Sequence, residues 1–148
     1  MHQKTPLIIP VENQLRELDP KLLLSCVAAE RGFTVFLGSL RDLSIKITSF
    51  PRSVYLAKSM TSRSTKAFNV LSTLGHEIVV WDEEALVHHS KEQYFGRRLD
   101  PRTMEKVSAL LAWGTENAEL FKTYPGYSGA PVHITGNPRG DMMRQDVL

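Results

Sequence analysis

Gly75-His76-Glu77-Ile78-Val79-Val80-Trp81-Asp82-Glu83-Glu84 decides the fold. Ile78, Val79 and Val80 form an unbroken apolar run flanked by Glu77 and Trp81. A run that does not alternate with polar residues suits a strand covered on both faces, as in a parallel sheet. Before it, Ala67, Val70, Leu71 and Leu74 recur at helical spacing, and Gly75 supplies a stop. After it, three acidic residues open a loop. Helix, glycine, buried strand and polar loop make one turn of an α/β fold.

The same unit recurs on either side. Leu7 to Val11 reads as a first strand, followed by a loop from Glu12 to Leu18. Asp19-Pro20 has the form of a helix cap with proline in the first turn, and Leu22, Leu23, Cys26, Val27 and Ala29 supply an apolar stripe. Gly32 ends that helix, and Phe33 to Leu37 is a second strand closed by Gly38-Ser39. Ile45 to Ile47 suits a short strand or a helical turn. Ser53 to Ala57 is a strand, and Thr61 or Ser62 caps the helix before Gly75. Lys91 to Arg98 is helical, Asp100-Pro101 starts another helix, and Ala109 to Trp113 is a buried strand. Thr115 caps a helix with Ala118, Leu120 and Phe121, and Val132 to Thr135 is the last strand. Alternating strands and helices predict a Rossmann-like parallel sheet with helices on both faces. Its core should include Leu7, Ile9, Leu23, Val27, Val35, Val70, Ile78, Val80, Leu110, Ala112 and Ile134. With no internal linker, repeat or low-complexity segment, residues 1–148 form a single domain.

Composition narrows the function. Lys and Arg number 18 against 16 Asp and Glu, a net charge of +2. That balance argues against nucleic acid as a partner. No apolar run approaches the ~20 residues of a membrane span. Met1-His2-Gln3-Lys4 leads into the first strand without a signal-peptide core. A cytoplasmic location is expected. The single Cys26 excludes an internal disulfide, and its apolar neighbours predict an inert core thiol.

Ligands of parallel sheets bind beyond the carboxyl ends of the strands, which selects the loops to weigh. The first, Pro10 to Glu17, contains no glycine. A pyrophosphate fingerprint needs glycines for close backbone approach, so no dinucleotide cofactor is expected. Glu12 ends the first strand, where a carboxylate can serve as general base; a loop-ordering pair with Arg16 is the plainer role. Lys58 to Ser64 places Lys58, Arg63 and four hydroxyl groups at a helix start suited to an anion, or simply to a well-capped helix. Asp82, Glu83 and Glu84 with His88 and His89 form the densest cluster. Crowded carboxylates raise one another's pKa toward a useful base. The alternative is an acidic helix start in which Asp82 caps. Adjacent histidines do not share a helical face, so no metal is expected. Gly114 to Asn117 suits a ligand contact or a capped helix.

In order along the chain, several stretches resemble the N-terminal lobe of the bacterial surface carbohydrate biosynthesis proteins, which are GT-B glycosyltransferase-like. They are Ile9-Pro10-Val11-Glu12-Asn13-Gln14 with Arg16-Glu17-Leu18-Asp19, Lys21-Leu22-Leu23-Leu24 and Ala28-Ala29-Glu30-Arg31-Gly32. Further along come Leu74-Gly75-His76-Glu77-Ile78-Val79, Trp81 to Val87, Trp113-Gly114 with Asn117-Ala118-Glu119, and Tyr124-Pro125-Gly126. Thr135-Gly136-Asn137-Pro138-Arg139 with Asp141 completes the set. The resemblance implies transfer of a glycosyl or related group from a nucleotide-activated donor to a saccharide acceptor, in the cytoplasm or peripherally at the inner membrane. It implies a donor-binding second lobe, absent from these residues, so that this chain alone is expected to be inactive. Glu83, Glu84 and Glu12 are then the candidate bases. Arg16, Lys58, Arg63, His88 and Asn137 are the candidate substrate contacts. A partner lobe or homo-oligomer would face the edge near Asn137. Half of an epimerase-like enzyme, a split-enzyme subunit and a non-catalytic binding or assembly module are the alternatives.

Overall fold

The computed structural model describes residues 4–144; the segments at either end, 1–3 and 145–148, lie outside the described residues. Among the described residues six strands build one sheet: β1 (Pro6–Val11), β2 (Thr34–Ser39), β3 (Val54–Ala57), β4 (Glu77–Trp81), β5 (Val107–Ala112) and β6 (Val132–Ile134). Their order is β2-β1-β3-β4-β5-β6, and every pairing is parallel. The apolar runs occupy its centre: Ile8, Ile9, Ile78, Val80, Leu110 and Ala112 have no exposed surface.

Among the described residues seven α-helices flank the sheet: α1 (Gln14–Glu30), α2 (Leu40–Ile45), α3 (Thr65–Thr73), α4 (Lys91–Arg98), α5 (Pro101–Met104), α6 (Thr115–Thr123) and α7 (Pro138–Asp141). Strand side chains alternate between two cores. Ile8, Tyr55, Ile78, Val80 and Leu110 pack with residues of α2 to α6, including Leu43, Phe68, Tyr94 and Phe121. Ile9, Leu56 and Trp81 form the smaller core on the other face, with Leu24 of α1 against it. The fold is therefore the expected Rossmann-like α/β sheet with helices on both faces. No helix among the described residues is long and apolar enough to cross a membrane.

Two glycines carry their expected stops. Gly32 follows α1 at φ 93°, and Gly75 follows α3 at φ 82°. A methyl group on Gly75 would also sit 2.8 Å from the Arg52 Nε.

The start of α1 differs from expectation. No loop spans Glu12 to Leu18, and Asp19-Pro20 is not a helix start. Asn13 caps the helix, its side chain accepting from the Arg16 N–H, and Pro20 lies inside. The reason is Glu17, whose carboxylate accepts from the Glu12 N–H at 3.0 Å and so closes the turn from β1 into α1. The buried stripe of α1 is Glu17, Lys21, Ser25 and Ala28. Cys26 and Val27 consequently face outward, so Cys26 is not a core thiol. Val70 and Ile134 are also exposed rather than core. Val70 lies on the outer side of α3, whose buried residues are Phe68 and Leu71. Ile134 ends the edge strand β6, which pairs on one side only.

Smaller boundaries resolve locally. Ile45 ends α2, and Ile47–Ser49 is a 3-10 turn. Ser62–Ser64 is a second 3-10 turn leading into α3, with no side-chain cap from Thr61 or Ser64. Gly114, not Thr115, is the cap position of α6. Residues 83–86 form turns, so the acidic stretch is not a helix start. Asp82 instead accepts from the Glu84 N–H at 3.2 Å within that turn.

Candidate functional site

β1 sits between β2 and β3. The chain leaves β1 into α1 on one face and leaves β3 into α3 on the other. The two exits diverge and open a crevice at the carboxyl edge, the usual ligand position in such sheets. A cleft of about 950 Å³ lies there. Pro10, Tyr55 and Ala57 belong to its strand side, Leu40 and Ser44 to α2, and Ala67, Phe68 and Leu71 to α3. Its rim carries Glu12, Asn13 and Arg16, then Lys58 to Arg63 without Met60, and Glu84, Arg97 and Arg98 from across the sheet. The volume matches the upper range of small-molecule sites, ~300–1,000 Å³.

The charged groups divide into paired and free. Lys58 Nζ contacts Glu12 Oε2 at 2.5 Å and Glu17 Oε1 at 2.6 Å. Lys21 Nζ donates to Glu17 Oε2 at 3.0 Å and to the Pro10 carbonyl at 2.6 Å. Burial alone would push the Glu17 carboxyl up, but donation from Lys58, the Glu12 N–H and Lys21 outweighs it and holds the group at about 2. Lys58 is likewise raised: burial opposes its charge, and Glu12 and Glu17 overcome that. Across the cleft, Arg98 Nη2 contacts Asp82 Oδ1 at 2.5 Å, and its Nη1 reaches Glu84 Oε2 at 3.4 Å. Asp82 is 1% exposed and also accepts from the Tyr94 hydroxyl at 2.9 Å. Tyr94 is held far up by burial and then by the Asp82 charge, so it stays a donor. Asn117 Nδ2 donates to that hydroxyl at 3.4 Å, and its Oδ1 accepts from the Trp113 N–H at 3.0 Å. Asp82 thus ties β4 to α4 and α6, and Arg98 carries the tie onward to Glu84.

Arg16, Arg63 and Arg97 line the cleft from α1, the 62–64 turn and α4, and none makes a side-chain hydrogen bond or ion pair among the described residues. The rim therefore presents uncompensated positive charge where Lys58 does not.

The expected site residues separate into two groups. Glu12, Arg16, Lys58, Arg63 and Glu84 share the cleft. Glu12 pairs with Lys58, not with Arg16. Glu83 and Asn137 lie elsewhere, lining a small cavity of about 10 Å³ with Glu17, Lys21 and Arg139. The Glu83 carboxyl is pushed up, chiefly by burial rather than by its acidic neighbours, and contacts Arg139 Nη1 at 3.6 Å. Asn137 caps α7 through its side-chain oxygen, which accepts from the Arg139 N–H. His88 packs against Tyr94, ring centroids 5.1 Å apart, and does not line the cleft. Sequence reasoning missed Arg97, Arg98 and Tyr55. The end of a polar helix and a strand-centre tyrosine carry no local signal of a shared cleft; the crossover that brings them together is set by strand order.

Comparison with protein-family models, with curated proteins and with solved structures finds no match to this chain.

Proposed function

We propose that this domain is the acceptor-side lobe of a glycosyltransferase-like enzyme of bacterial surface polysaccharide biosynthesis. The observation that carries the reading is the cleft at the β1/β3 divergence, with two carboxylates on a rim otherwise rich in hydroxyl groups and cations. Such a lining suits a saccharide, whose hydroxyl groups need both donors and acceptors. Glu84 and Glu12, 47% and 57% exposed in their side chains, can each reach a bound hydroxyl and act as its base. Glu83 is the weaker candidate, because it faces the α7 side. The nucleotide-activated donor would bind on a second lobe. Leu15, Leu86 and Val87, all in carboxyl-edge segments and at least 65% exposed, supply apolar surface for that lobe to cover.

The decisive experiment measures transfer from a nucleotide sugar with a nucleotide-binding lobe supplied, on the same or a second polypeptide. Glu84→Gln should lower turnover ~10²–10⁴-fold if it is the base. Arg102→Ala, whose side chain pairs among the described residues with Asp100 alone and lies outside the cleft, should not. Full activity of both Glu84→Gln and Glu12→Gln sinks the base assignment. Because both carboxylates are tied to cations, a binding module is the second reading; saccharide binding without transfer would establish it.

A further inference from the structure

The cleft contains one group that neither the fold nor the ion pairs explain. Tyr55 is 7% exposed on β3 and packs in the larger core, yet it lines the cleft. Its hydroxyl has no hydrogen-bond partner among the described residues. Its oxygen keeps contact with solvent, so the hydroxyl is open to a ligand in the cleft. Burial pushes this phenol up to about 12, so it stays protonated and can only donate to an anion.

Two independent features point to the same acceptor. The helical run that begins at Ser62 and continues through α3 has no side-chain cap; the Ser64 and Thr65 N–H groups bond to the Thr61 and Ser62 carbonyls, while those of Ser62 and Arg63 have no partner among the described residues. Those groups and the helix dipole favour an anion. Around that start, Ser59, Thr61, Ser62 and Ser64 add hydroxyl donors. Of the arginines that line the cleft, Arg16, Arg63 and Arg97 have no side-chain partner among the described residues, and they come from separate elements. Guanidinium forks match phosphate oxygens in geometry as well as charge.

We propose that the cleft binds a phosphorylated ligand, with a phosphate or diphosphate group at the uncapped start of the 62–73 helical run between Arg16, Arg63 and Arg97 and within reach of the Tyr55 hydroxyl. This rests on the reading of the cleft as a substrate site and names the chemistry of the substrate. Three free cations exceed what one carboxylate neutralises; a phosphate monoester carries nearly two negative charges near pH 7 and a diphosphate at least as many. Ala67, Phe68 and Leu71 offer apolar surface to the organic part.

The test is titration calorimetry of the full chain with inorganic pyrophosphate, glucose 1-phosphate, glucose and malonate. Pyrophosphate and glucose 1-phosphate should bind, more weakly as salt rises. Glucose and malonate should bind at least about tenfold more weakly, since charge-assisted phosphate contacts supply the affinity. Arg63→Gln and Arg97→Gln should each weaken pyrophosphate by roughly tenfold, and Arg102→Gln should leave it unchanged. Tyr55→Phe should weaken it several-fold while leaving the melting temperature unchanged or higher, because no internal hydrogen bond is lost. Cosedimentation with vesicles carrying a polyprenyl phosphate, set against binding of soluble glucose 1-phosphate, separates a membrane-borne source of the phosphate from a soluble one. Equal binding of glucose and glucose 1-phosphate, malonate matching pyrophosphate, or arginine variants that bind as the parent does, would overturn the proposal. With a nucleotide-binding lobe supplied, phosphate binding without glycosyl transfer leaves this site standing and removes the transferase reading; transfer without phosphate binding does the reverse.

Discussion

Glu17 and Glu83 sit in one neighbourhood and respond to it with opposite sign. Glu17 is 2% exposed and held by two lysines; removing its charge leaves Lys21, 4% exposed, without its ion-pair partner. Stranding a buried charge costs about 3–5 kcal/mol, a large part of a typical stability of about 5–15 kcal/mol. Urea denaturation of Glu17→Gln should show a loss of that order. Glu12→Gln, at the exposed end of the same network, should cost less than about 1 kcal/mol. Because the Glu17 carboxyl lies near 2 when folded against 4.5 as a free group, its stabilisation is complete above pH 4.5 and is lost as pH falls from there toward 2. Glu83 is pushed up by burial, so ionising it works against the fold, and its contribution declines as pH rises through the carboxylate range. Glu83→Gln should therefore gain stability relative to the parent at pH 7 compared with pH 4, as read from denaturation midpoints at both values. A larger relative gain at pH 4 would refute the sign.

At the scale of elements, α1 is the instructive one. Pro20 has no N–H to give to the Arg16 carbonyl, yet the helix runs through it from Gln14 to Glu30. Pro20→Ala restores that bond and should raise stability, by up to about 3 kcal/mol if the ring is not needed for packing. A lower melting temperature for Pro20→Ala would show that the ring contributes more than the lost bond. The same helix marks the limit of what the chain discloses locally. The β4 run and the Gly75 stop were readable, because continuous apolar strands and glycine breaks depend on nearest neighbours. So was α4, read as Lys91 to Arg98. The start of α1 was not, because its polar buried stripe exists only through Lys58, 41 residues beyond Glu17. The division of the acidic stretch, Glu84 toward the cleft and Glu83 toward α7, was equally hidden, since adjacent residues of a turn differ in direction by geometry that composition does not record.

On the scale of the whole molecule, protection should follow position in the sheet. β1, β3 and β4 are interior strands with Ile8, Ile9, Ile78 and Val80 fully covered, whereas β6 is a three-residue edge. Hydrogen exchange should be slowest at the amides of Ile8, Ile9 and Ile78 and fast at His133 and Ile134. Uniform protection across β6 would mean that another chain covers this edge in solution. The outward face of α1 has a practical consequence of its own. Cys26 is exposed, and it is the chain's single cysteine. Twelve residues separate it from Gln14, where the helix starts beside the cleft, a span of about 18 Å at 1.5 Å per residue. A maleimide dye will therefore mark every molecule once, at a position remote from any bound ligand. The same thiol lets two molecules become covalently joined in air. A dimer band that vanishes with dithiothreitol belongs to storage chemistry, and only one that survives the reductant speaks for an interface.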